Sequence, residues 1–459
     1  MYRNLGIGLT AVLITAAPVL GQLNEAEGIE AAGADGSPTS VVLPADRILQ
    51  SIANTELRAL ISEALERNPG VARARALARA AGLRAPQVRA LPDPVAGMTA
   101  WLSGPETRTG PQVLTLSWVQ ALPWLSKFDL QEQAALFEAS ALHFDVEATR
   151  LALVTSVRRL YYELGFLWRY KEITLDYLDH LRQHEEISQS RYATGIGASQ
   201  DVVKIQAEIT LAENLVLDID QRRIDLEAQI NHMRDRAASS VILPAVLPPG
   251  VEIRSGFQAL RGAAAESRPE VTAADARIAA AEARIKLADK EYRPNFQVGL
   301  TYTFVNPRED EAGMLNPPEG NGDDIFGIQG GVSVPIWRNR LKSGAQEASE
   351  LDLSAREAKR EVLAGIESAL GDLVQRIPLT WQQLRLLEDI LILQAEESVR
   401  SAQSGYVSGT FNALDLLDAE HVLFEAETAI ARAQADYAIR LTQLEGAVGG
   451  PLEQYSTTE

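Results

Sequence analysis

The hydrophobic pattern over residues 294–305 alternates with a period of two and predicts a strand. Successive side chains of a strand point to opposite faces, and here one face is apolar while the other is small or polar. After a loop rich in glycine and proline, a run over 325–336 alternates in the same way. These two strands have the length and pattern of an outer-membrane β-barrel hairpin, although an amphipathic hairpin on a soluble core shows the same pattern. The apolar face of the first strand carries Phe296, Val298, Leu300, Tyr302 and Phe304.

Weaker alternation predicts another strand pair at 94–103 and 112–122, and long helices follow each pair. From 126 to about 191 the sequence has no proline and a single glycine, Gly165. Its apolar residues step by four and three, which is typical of a coiled coil. A helix of that length would extend roughly 100 Å. We predict helical hairpins over 126–235 and 340–448, with a kink at Pro378 in the second.

The chain repeats itself. Each half, 51–250 and 251–449, has the order helices, two strands and a long helical hairpin, and 450–459 is a tail. The offset between the halves grows inside the loop that joins the strands, where insertion costs little free energy. An internal duplication is therefore predicted. The recurring landmarks, at offsets of 202, 212 and 214 residues, are Pro92 and Pro294, Pro123 and Pro335, Tyr192 and Tyr406, Gly195 and Gly409, and Asp201 and Asp415.

The first 21 residues have the features of a secretory signal peptide. Arg3 precedes an apolar core, and small residues near Gly21 allow cleavage. An uncleaved anchor is the alternative, but the apolar run is shorter than the ~20 residues that a spanning helix needs. No later segment reaches that length without charges, so strands are the predicted membrane crossing. Residues 22–50 are acidic and punctuated by glycine and proline, and we predict a linker there.

Composition narrows the function further. The 459 residues include no cysteine and carry a formal net charge of −19. Disulfides and cysteine-ligated metals are therefore excluded, and phosphate backbones would be repelled, so we expect no nucleic-acid partner. The sequence offers no nucleophile–base constellation and no phosphate loop. We predict that it is not an enzyme and has no cofactor; an enzyme on a helical scaffold is the disfavoured alternative.

Four strands cannot close a barrel, and open sheet edges are not tolerated in lipid. Closure by symmetry therefore requires several copies in a ring. Three copies would provide twelve strands. The predicted fold is an α+β membrane protein: a trimeric 12-stranded outer-membrane β-barrel, with four strands from each chain, continued by a long α-helical coiled-coil barrel. A soluble periplasmic coiled-coil adaptor is the alternative that never enters a membrane.

Two motifs carry a family resemblance. Tyr192-Ala193-Thr194-Gly195 precedes Asp201, and Tyr406-Val407-Ser408-Gly409 precedes Asp415-Leu416-Leu417-Asp418. The chain resembles the outer membrane factors of the TolC type. Leu91-Pro92-Asp93-Pro94 and the segment 120–127 are most similar to the heavy-metal RND efflux branch, in which many relatives have glycine where this chain has Ser126.

The resemblance implies a homotrimeric duct in the cell outer membrane that extends into the periplasm. It implies two protein partners, a periplasmic adaptor (membrane fusion) protein and an inner-membrane RND-type pump, in addition to outer-membrane lipid. Heavy-metal cations are the expected substrates, delivered by the pump. Drug efflux and type I protein secretion remain open, because the pump determines what is carried.

The resemblance also implies a periplasmic gate. Asp415 and Asp418 match carboxylates that ring the closed end, and Asp201 and Tyr406 match a hydrogen-bonded pair that links the hairpins. Phe411 stands where the family has a gate arginine, so the contact that this arginine makes is expected to be replaced by an apolar one. Acids at a helix start also favour the macrodipole, which is the alternative for the aspartates.

The turns at the hairpin tips match the family's adaptor-docking region, with Gly195, Gly409 and Tyr192 as the candidate residues. Glycine also permits tight turns, and the two roles are compatible. His180 and His184 lie four apart on a predicted helix. This spacing makes them a weak candidate metal pair, with a solvated helix face as the alternative.

Large aromatic residues occur at or near the ends of the predicted strands. An interfacial belt requires this placement, and packing in a core is the alternative reading. The candidates for membrane-interface aromatics are Trp101, Trp118, Trp124, Tyr302 and Trp337.

Overall fold

The structure is a computed structural model and describes residues 43–248 and 256–452. The predicted signal peptide and most of the predicted linker lie outside the described residues. A short helix, α1 (Pro44–Ser51), occupies the end of the segment that we predict as a linker, so the linker prediction is wrong there. Two turns are too short to show periodicity, yet Ala45 and Ile48 are buried in the same hydrophobic cluster as α5.

The first half begins with short helices and continues into one very long helical hairpin. Asn54 caps α2 and Asn68 caps α3, and in α3 proline occupies the first turn. The bounds are α2 (Thr55–Arg67), α3 (Pro69–Gly82), α4 (Arg84–Arg89), α5 (Leu125–Ala193) and α6 (Ser199–Met233). The long apolar seam of α5, including Leu153, Val157 and Leu160, is buried against these helices.

The second half repeats this plan with one irregularity. The bounds are α7 (Phe257–Ser267), α8 (Pro269–Lys290), α9 (Glu311–Leu315), α10 (Arg338–Leu386), α11 (Ile392–Ser408) and α12 (Ala413–Val448). Helix α10 continues through Pro378, and the predicted kink at that residue stays a prediction. The irregularity is a π-helical segment, Leu387–Leu391, between α10 and α11. No described helix is long and apolar enough to cross a membrane.

Strands from both halves form a single antiparallel sheet. The bounds are β1 (Val95–Ala100), β2 (Glu106–Thr107), β3 (Gly110–Leu122), β4 (Asn295–Val305) and β5 (Ile325–Ser333). The order is β1-β3-β4-β5, with the short β2 paired to β3. Strands β1 and β5 end before the predicted positions 103 and 336. The sheet joins the two halves, because β3 of the first pairs along its length with β4 of the second.

The apolar face of the sheet is exposed in this chain. Trp118 pairs with Leu300, and Leu300 pairs with Ile328, so these side chains share one face. Leu300 is 41% exposed and Ile328 is 73% exposed. The opposite face is mostly small or polar: Ser117 pairs with Thr301, and Thr301 pairs with Gly327. It also carries Val95, Val119 and Ile325. Strand β1 has only β3 as a described neighbour and β5 has only β4. The sheet therefore has two open edges and one uncovered apolar face.

Candidate functional site

The tips of the two helical hairpins are built on glycine turns. In the first tip, between α5 and α6, Gly195 has φ +76°. The backbone N–H groups of Ile196 and Gly197 both donate to the carbonyl of Arg191 at 3.0 Å. In the second tip, Gly409 has φ +80°. Both glycines therefore adopt the left-handed conformation that a residue with a Cβ atom rarely adopts. Their predicted use in tight turns is confirmed.

Asp415 caps a helix in the second tip. Its carboxylate accepts a hydrogen bond from the backbone N–H of Asn412 at 3.0 Å, and the Asn412 side chain accepts from the N–H of Asp415 at 3.1 Å. This capping box satisfies N–H groups that would otherwise lack partners at the start of α12. The helix-start role that we considered for Asp415 is therefore present. Asp418 is exposed and makes no hydrogen bond or ion pair within the described residues.

Tyr406 is held by Arg191 rather than by Asp201. The guanidinium of Arg191 donates to the carbonyl oxygen of Tyr406 at 2.7 Å and lies over its ring at 4.7 Å from the centroid. The predicted hydrogen bond between Asp201 and Tyr406 is not made in this chain; the contact between the hairpins at Tyr406 comes from Arg191 instead. Tyr406 and Tyr192, which occupy equivalent positions in the two halves, differ in burial: Tyr406 is 4% exposed and Tyr192 is 55% exposed.

Phe411 packs within its own tip. A Cβ atom built on Gly405 would lie 2.2 Å from Cδ2 of Phe411, so the ring rests directly on the glycine. The N–H groups of Thr410 and Phe411 both donate to the carbonyl of Gly405. The contact is apolar, but it joins residues of one hairpin. It does not bridge two hairpins as the gate contact in the resemblance would.

The candidate histidine pair faces a buried carboxylate. Nδ1 of His180 lies 3.1 Å from Oε2 of Glu420, and Nε2 of His184 lies 3.0 Å from Oε1. Across the described ranges no group of three or more His, Asp and Glu side chains could hold a metal ion. The solvated-face alternative is also wrong for His184, which is 7% exposed. The structure assigns both rings to Glu420 instead of to a metal.

The junction of helix and sheet explains the motif over 120–127. Lys127 is 5% exposed, and its ammonium donates to Oδ1 of Asn295 at 3.0 Å, where β4 begins. The backbone N–H of Trp124 donates to the same oxygen at 3.3 Å. Asn295 therefore ties the end of β3 and the start of α5 to the second half of the chain. The motif has a structural role at this junction.

The aromatic candidates lie at different heights along the sheet. Trp101 follows the last residue of β1, while Trp124 and Trp337 precede α5 and α10. Tyr302 is three residues from the end of β4. Trp118 lies within β3, four residues before its end at Leu122, and is paired with Ala96 and Leu300. All five are exposed rather than packed in a core, and their exposed fractions run from 37% to 73%.

Sequence reasoning missed three residues of this region: Arg191, Gly405 and Glu420. Aligning the two halves would have pointed to the first two residues, because Arg191 and Gly405 are separated by the same 214 residues as Tyr192 and Tyr406. A charged side chain in one half and a glycine in the other indicate that the two tips differ. No sequence signal pointed to Glu420, whose partners lie 240 and 236 residues away.

The fold and the two tips define a duplicated helical-hairpin protein whose halves share one antiparallel sheet. The sequence profile described as "Outer membrane efflux protein" matches residues 60–233 and 260–450. The chain belongs to this family of TolC-like outer-membrane channels, and the predicted family is confirmed. Nodulation protein T of Rhizobium leguminosarum bv. trifolii is 24% identical over 397 residues, which cover 81% of this chain and 80% of that protein.

Solved structures share the fold. The outer membrane protein VceC from Vibrio cholerae superposes with a TM-score of 0.70 and 22% identity, over 86% of this chain and 96% of VceC. A structure of CusC, described with transmembrane channel formation, superposes with a TM-score of 0.66 and 16% identity, over 87% of this chain and 93% of that chain. At these identities the likeness shows the fold alone.

Proposed function

We propose that this protein is the exit duct of a tripartite efflux system in the outer membrane. Three copies form a 12-stranded barrel that continues into an α-helical barrel in the periplasm, and substrates pass through it without chemical change. One observation carries the proposal. The sheet has an uncovered apolar face and two open edges, β1 and β5, and lipid tolerates such a sheet only when further strands close it.

The geometry of the sheet supports closure by identical copies. Neighbouring strands are antiparallel throughout, in the order β1-β3-β4-β5. Strand β5 of one copy therefore runs opposite to β1, and β1 of the next copy can continue the antiparallel alternation. The small and polar face would then line the bore while the apolar face meets lipid.

The helices carry a matching surface for a second copy. On α6, Ile205, Ala212 and Ile219 are buried against the rest of the chain. Val203, Leu217 and Ile224 lie on the other side of the helix, are at least 57% exposed and are spaced by multiples of seven residues. On α10, Leu379 and Leu386 are 63% and 58% exposed. Apolar residues at heptad spacing that face away from their own core are typical of a coiled-coil seam with another helix.

We propose that the second tip forms the gate and that heavy-metal cations are the substrates. In a ring of three copies, Asp415 and Asp418 would repel one another at a constriction and attract cations. Tyr406 and Asp201 would belong to the contacts that hold the tips closed, with Arg191 as their neighbour. The resemblance of the segment 120–127 to the heavy-metal branch supports metal cations, whereas the likeness in fold to VceC and CusC does not distinguish one cargo from another. Drugs and secreted proteins are therefore the alternative cargoes.

The proposed partners are a periplasmic adaptor at the tips and an inner-membrane RND-type pump. Exposed residues at the tips, among them Tyr192, Ile196 and Val407, give the adaptor an apolar surface. Gly195 and Gly409 would allow it to approach the backbone closely. The exposed aromatics Trp101, Trp118, Trp124, Tyr302 and Trp337 would contact lipid, and only some of them would lie at the membrane interface.

Conductance across planar lipid bilayers tests the duct and its gate together. We expect the purified full chain to form cation-preferring channels. Asp418→Asn should lower the cation preference and shift the reversal potential towards zero in a salt gradient, because it removes a carboxylate from the constriction without disturbing the capping box. Asp218→Asn is the matched control, since this exposed acid lies on α6 away from the tips. A chain that inserts no channels would overturn the duct, and an unchanged D418N variant would overturn the gate.

A further inference from the structure

A groove lies along α5 between α6 and α12. Helix α5 packs against both of these helices, so its residues form the floor and residues of α6 and α12 stand on either side. The groove has a volume of 870 Å³, within the usual range for sites that bind small molecules. It lies apart from the histidine pair and from the turns at the tips, and no role has been assigned to it so far.

Aromatic rings form much of the groove surface. The rings of Phe166 and Tyr170 on α5 are stacked with their centroids 5.5 Å apart, and the ring of Phe424 on α12 lies 6.2 Å from that of Tyr170. Phe166 is buried, whereas Tyr170 and Phe424 remain partly exposed to the groove. Aromatic rings attract other flat rings in offset or edge-to-face arrangements. The groove therefore offers a surface for a planar ring system.

Arg432 closes one end of the groove, and its own charge is already neutralised. Its guanidinium lies over the ring of Phe166, 4.7 Å from the centroid. It donates to both carboxylate oxygens of Glu163, at 2.8 and 3.0 Å, and its Nε donates to Asp436 at 3.0 Å. Paired carboxylates and a paired guanidinium gain little from a ligand. This end therefore fixes the ring of Phe166 and leaves recognition to other residues.

Three hydrogen-bond donors in the groove have no partner within the described residues. The exposed guanidinium of Arg222 on α6 makes no ion pair, and the hydroxyl of Tyr170 makes no hydrogen bond. Oγ1 of Thr428 on α12 is buried and is also unpartnered. Burial raises the pKa of Tyr170 and the nearby charge of Arg222 opposes this, so the phenol keeps its proton beside the guanidinium. A buried hydroxyl without a partner costs free energy, and a ligand that accepts its hydrogen bond removes that cost.

One carboxylate opposes these donors. Asp225 follows Arg222 by three positions on α6, lines the groove and is exposed, yet no ion pair joins the two. Glu425 differs, because its Oε1 lies 3.3 Å from Nε2 of His421. Solvent screens the repulsion between an exposed carboxylate and an anion. A guanidinium can bind a carboxylate through two parallel charge-assisted hydrogen bonds. The unused donors therefore favour an anionic ligand over a cationic one.

We propose that this groove binds a planar aromatic molecule that carries a carboxylate. The ring system stacks on the rings of Tyr170 and Phe424. The carboxylate accepts hydrogen bonds from Arg222, and the hydroxyls of Tyr170 and Thr428 are the further donors. Each helix that forms the groove thus contributes to recognition: α5 and α12 through a ring and a hydroxyl, and α6 through its charge.

The groove shares one face of α12 with Asp418. Glu425 and Arg432 follow Asp418 by seven and fourteen residues, and positions seven apart lie on the same side of a coiled-coil helix. On α6, Leu226 lies two positions after Ile224, about 200° around the helix, so the groove lies away from the stripe proposed as the contact between copies. That the groove opens onto the bore rests on the proposed function, whereas the binding of the ligand does not.

Isothermal titration calorimetry on the purified full chain in lipid nanodiscs tests the groove, with empty nanodiscs as the blank. The probe is 2-naphthoate at neutral pH, where its carboxylate is ionised. We expect 2-naphthoate to bind. The uncharged 2-naphthamide keeps the ring system and should bind at least about tenfold more weakly, because it loses the charge-assisted hydrogen bonds. Cyclohexanecarboxylate keeps the charge without an aromatic face and should bind at least about threefold more weakly.

Four variants assign the affinity to individual residues. Arg222→Gln should weaken the binding of 2-naphthoate at least about tenfold, because it removes the charged donor from an exposed position. Thr428→Val keeps the shape without the hydroxyl and should weaken it about threefold. Asp225→Asn should strengthen it about threefold, since it removes the opposing charge. Arg75→Gln in α3 is the matched control, because this exposed arginine also makes no ion pair within the described residues and does not line the groove.

Equal affinities of R222Q and the unsubstituted chain, or of 2-naphthamide and 2-naphthoate, would overturn the proposed site. Weaker binding in D225N would also overturn it, because that result would assign the groove to a cation. Thermal unfolding of each variant shows whether a lost affinity reflects loss of the fold. The duct is tested separately by conductance. If 2-naphthoate binds while no channels form, the proposed function fails and the site stands; channels without binding give the opposite result.

Discussion

At the scale of single residues, the two tips place a glycine and a large side chain in opposite order. Gly405 lies under the ring of Phe411 in the second tip. In the first tip the corresponding residues, 214 positions earlier, are Arg191 and Gly197. A Cβ atom on Gly197 would lie 3.2 Å from Cβ of Arg191, so these two residues are also in contact. Each tip therefore has one glycine that makes room for its partner.

This packing predicts the effect of a methyl group at Gly405. Gly405→Ala should destabilise the full chain by about 1–3 kcal/mol, because the new Cβ atom would displace the ring of Phe411. Thermal and denaturant unfolding in detergent would measure the change. The matched control is Gly371→Ala in α10, where a Cβ atom meets nothing within 4 Å; that change should stabilise by about 0.5–1 kcal/mol.

The second substitution Phe411→Ala checks the cause. In the double variant the added methyl no longer meets a ring, so the loss from G405A should largely disappear relative to F411A alone. Strict additivity of the two losses would contradict the packing argument.

Residue-level prediction succeeded where the backbone dictated the residue and failed where distant partners decided its role. Gly195 and Gly409 were predicted as turn residues, and their positive φ angles leave little alternative. The partner of Tyr406 was predicted as Asp201, but the structure gives Arg191. Asp201 and Arg191 flank the same turn, so spacing alone could not distinguish them.

At the scale of elements, the two tip helices begin with unequal caps. Helix α12 has the full capping box of Asn412 and Asp415. Helix α6 begins after Ala198, which has the extended φ and ψ of a cap residue but no side chain to accept a hydrogen bond. Asp201 already occupies the position that corresponds to Asp415. The first hairpin lacks only the cap residue itself.

Ala198→Asn should therefore stabilise the first tip by about 1 kcal/mol, the usual gain from a capping side chain. Hydrogen exchange should slow at the start of α6 and stay unchanged at the start of α12. Asn412→Ala is the reciprocal variant and should cost about the same while loosening α12 instead. A198N without added protection in α6 would show that its backbone cannot form the box.

Long periodic elements were the most predictable part of the fold. The hairpins and the strands of the sheet were expected from apolar spacing, with strand ends shifted by a few residues. Helix α1 was not, because two turns bury only Ala45 and Ile48 and give no readable period. The π-helical segment at Leu387–Leu391 was also missed, because a π-helical turn leaves no signal in the amino-acid composition. The irregularity that we predicted in this helix was the kink at Pro378, which lies earlier in the chain.

At the scale of the molecule, the exposed stripe of α6 should decide assembly. Leu217→Lys with Ile224→Lys places two charges on the proposed contact between copies. We expect the fraction of detergent-extracted trimers to fall at least about tenfold, because burying an unpaired charge costs more than 1.4 kcal/mol. Helical content should persist, since both side chains face away from their own core. Trimers would be counted by crosslinking and light scattering.

The matched control for the stripe keeps it apolar. Leu217→Met with Ile224→Leu changes the same two positions without adding charge and should assemble as the unsubstituted chain does. An unchanged fraction of trimers in the lysine variant would show that this stripe of α6 is not the contact between copies. From the sequence, assembly could be predicted only by the argument that four strands cannot close a barrel. The exposed stripe could not be predicted, because the exposure of Val203, Leu217 and Ile224 depends on which side of α6 packs against α5.

The unlike tips have a further implication. A chain that began as two equal halves now presents Phe411 on Gly405 at one tip and Arg191 beside Gly197 at the other. Around a closed ring of three such chains the tips would alternate in kind. A partner protein bound to the ring of tips would then meet the same surface every 120° rather than every 60°. If only every second tip moved, the opening would widen and the threefold symmetry of the ring would be kept.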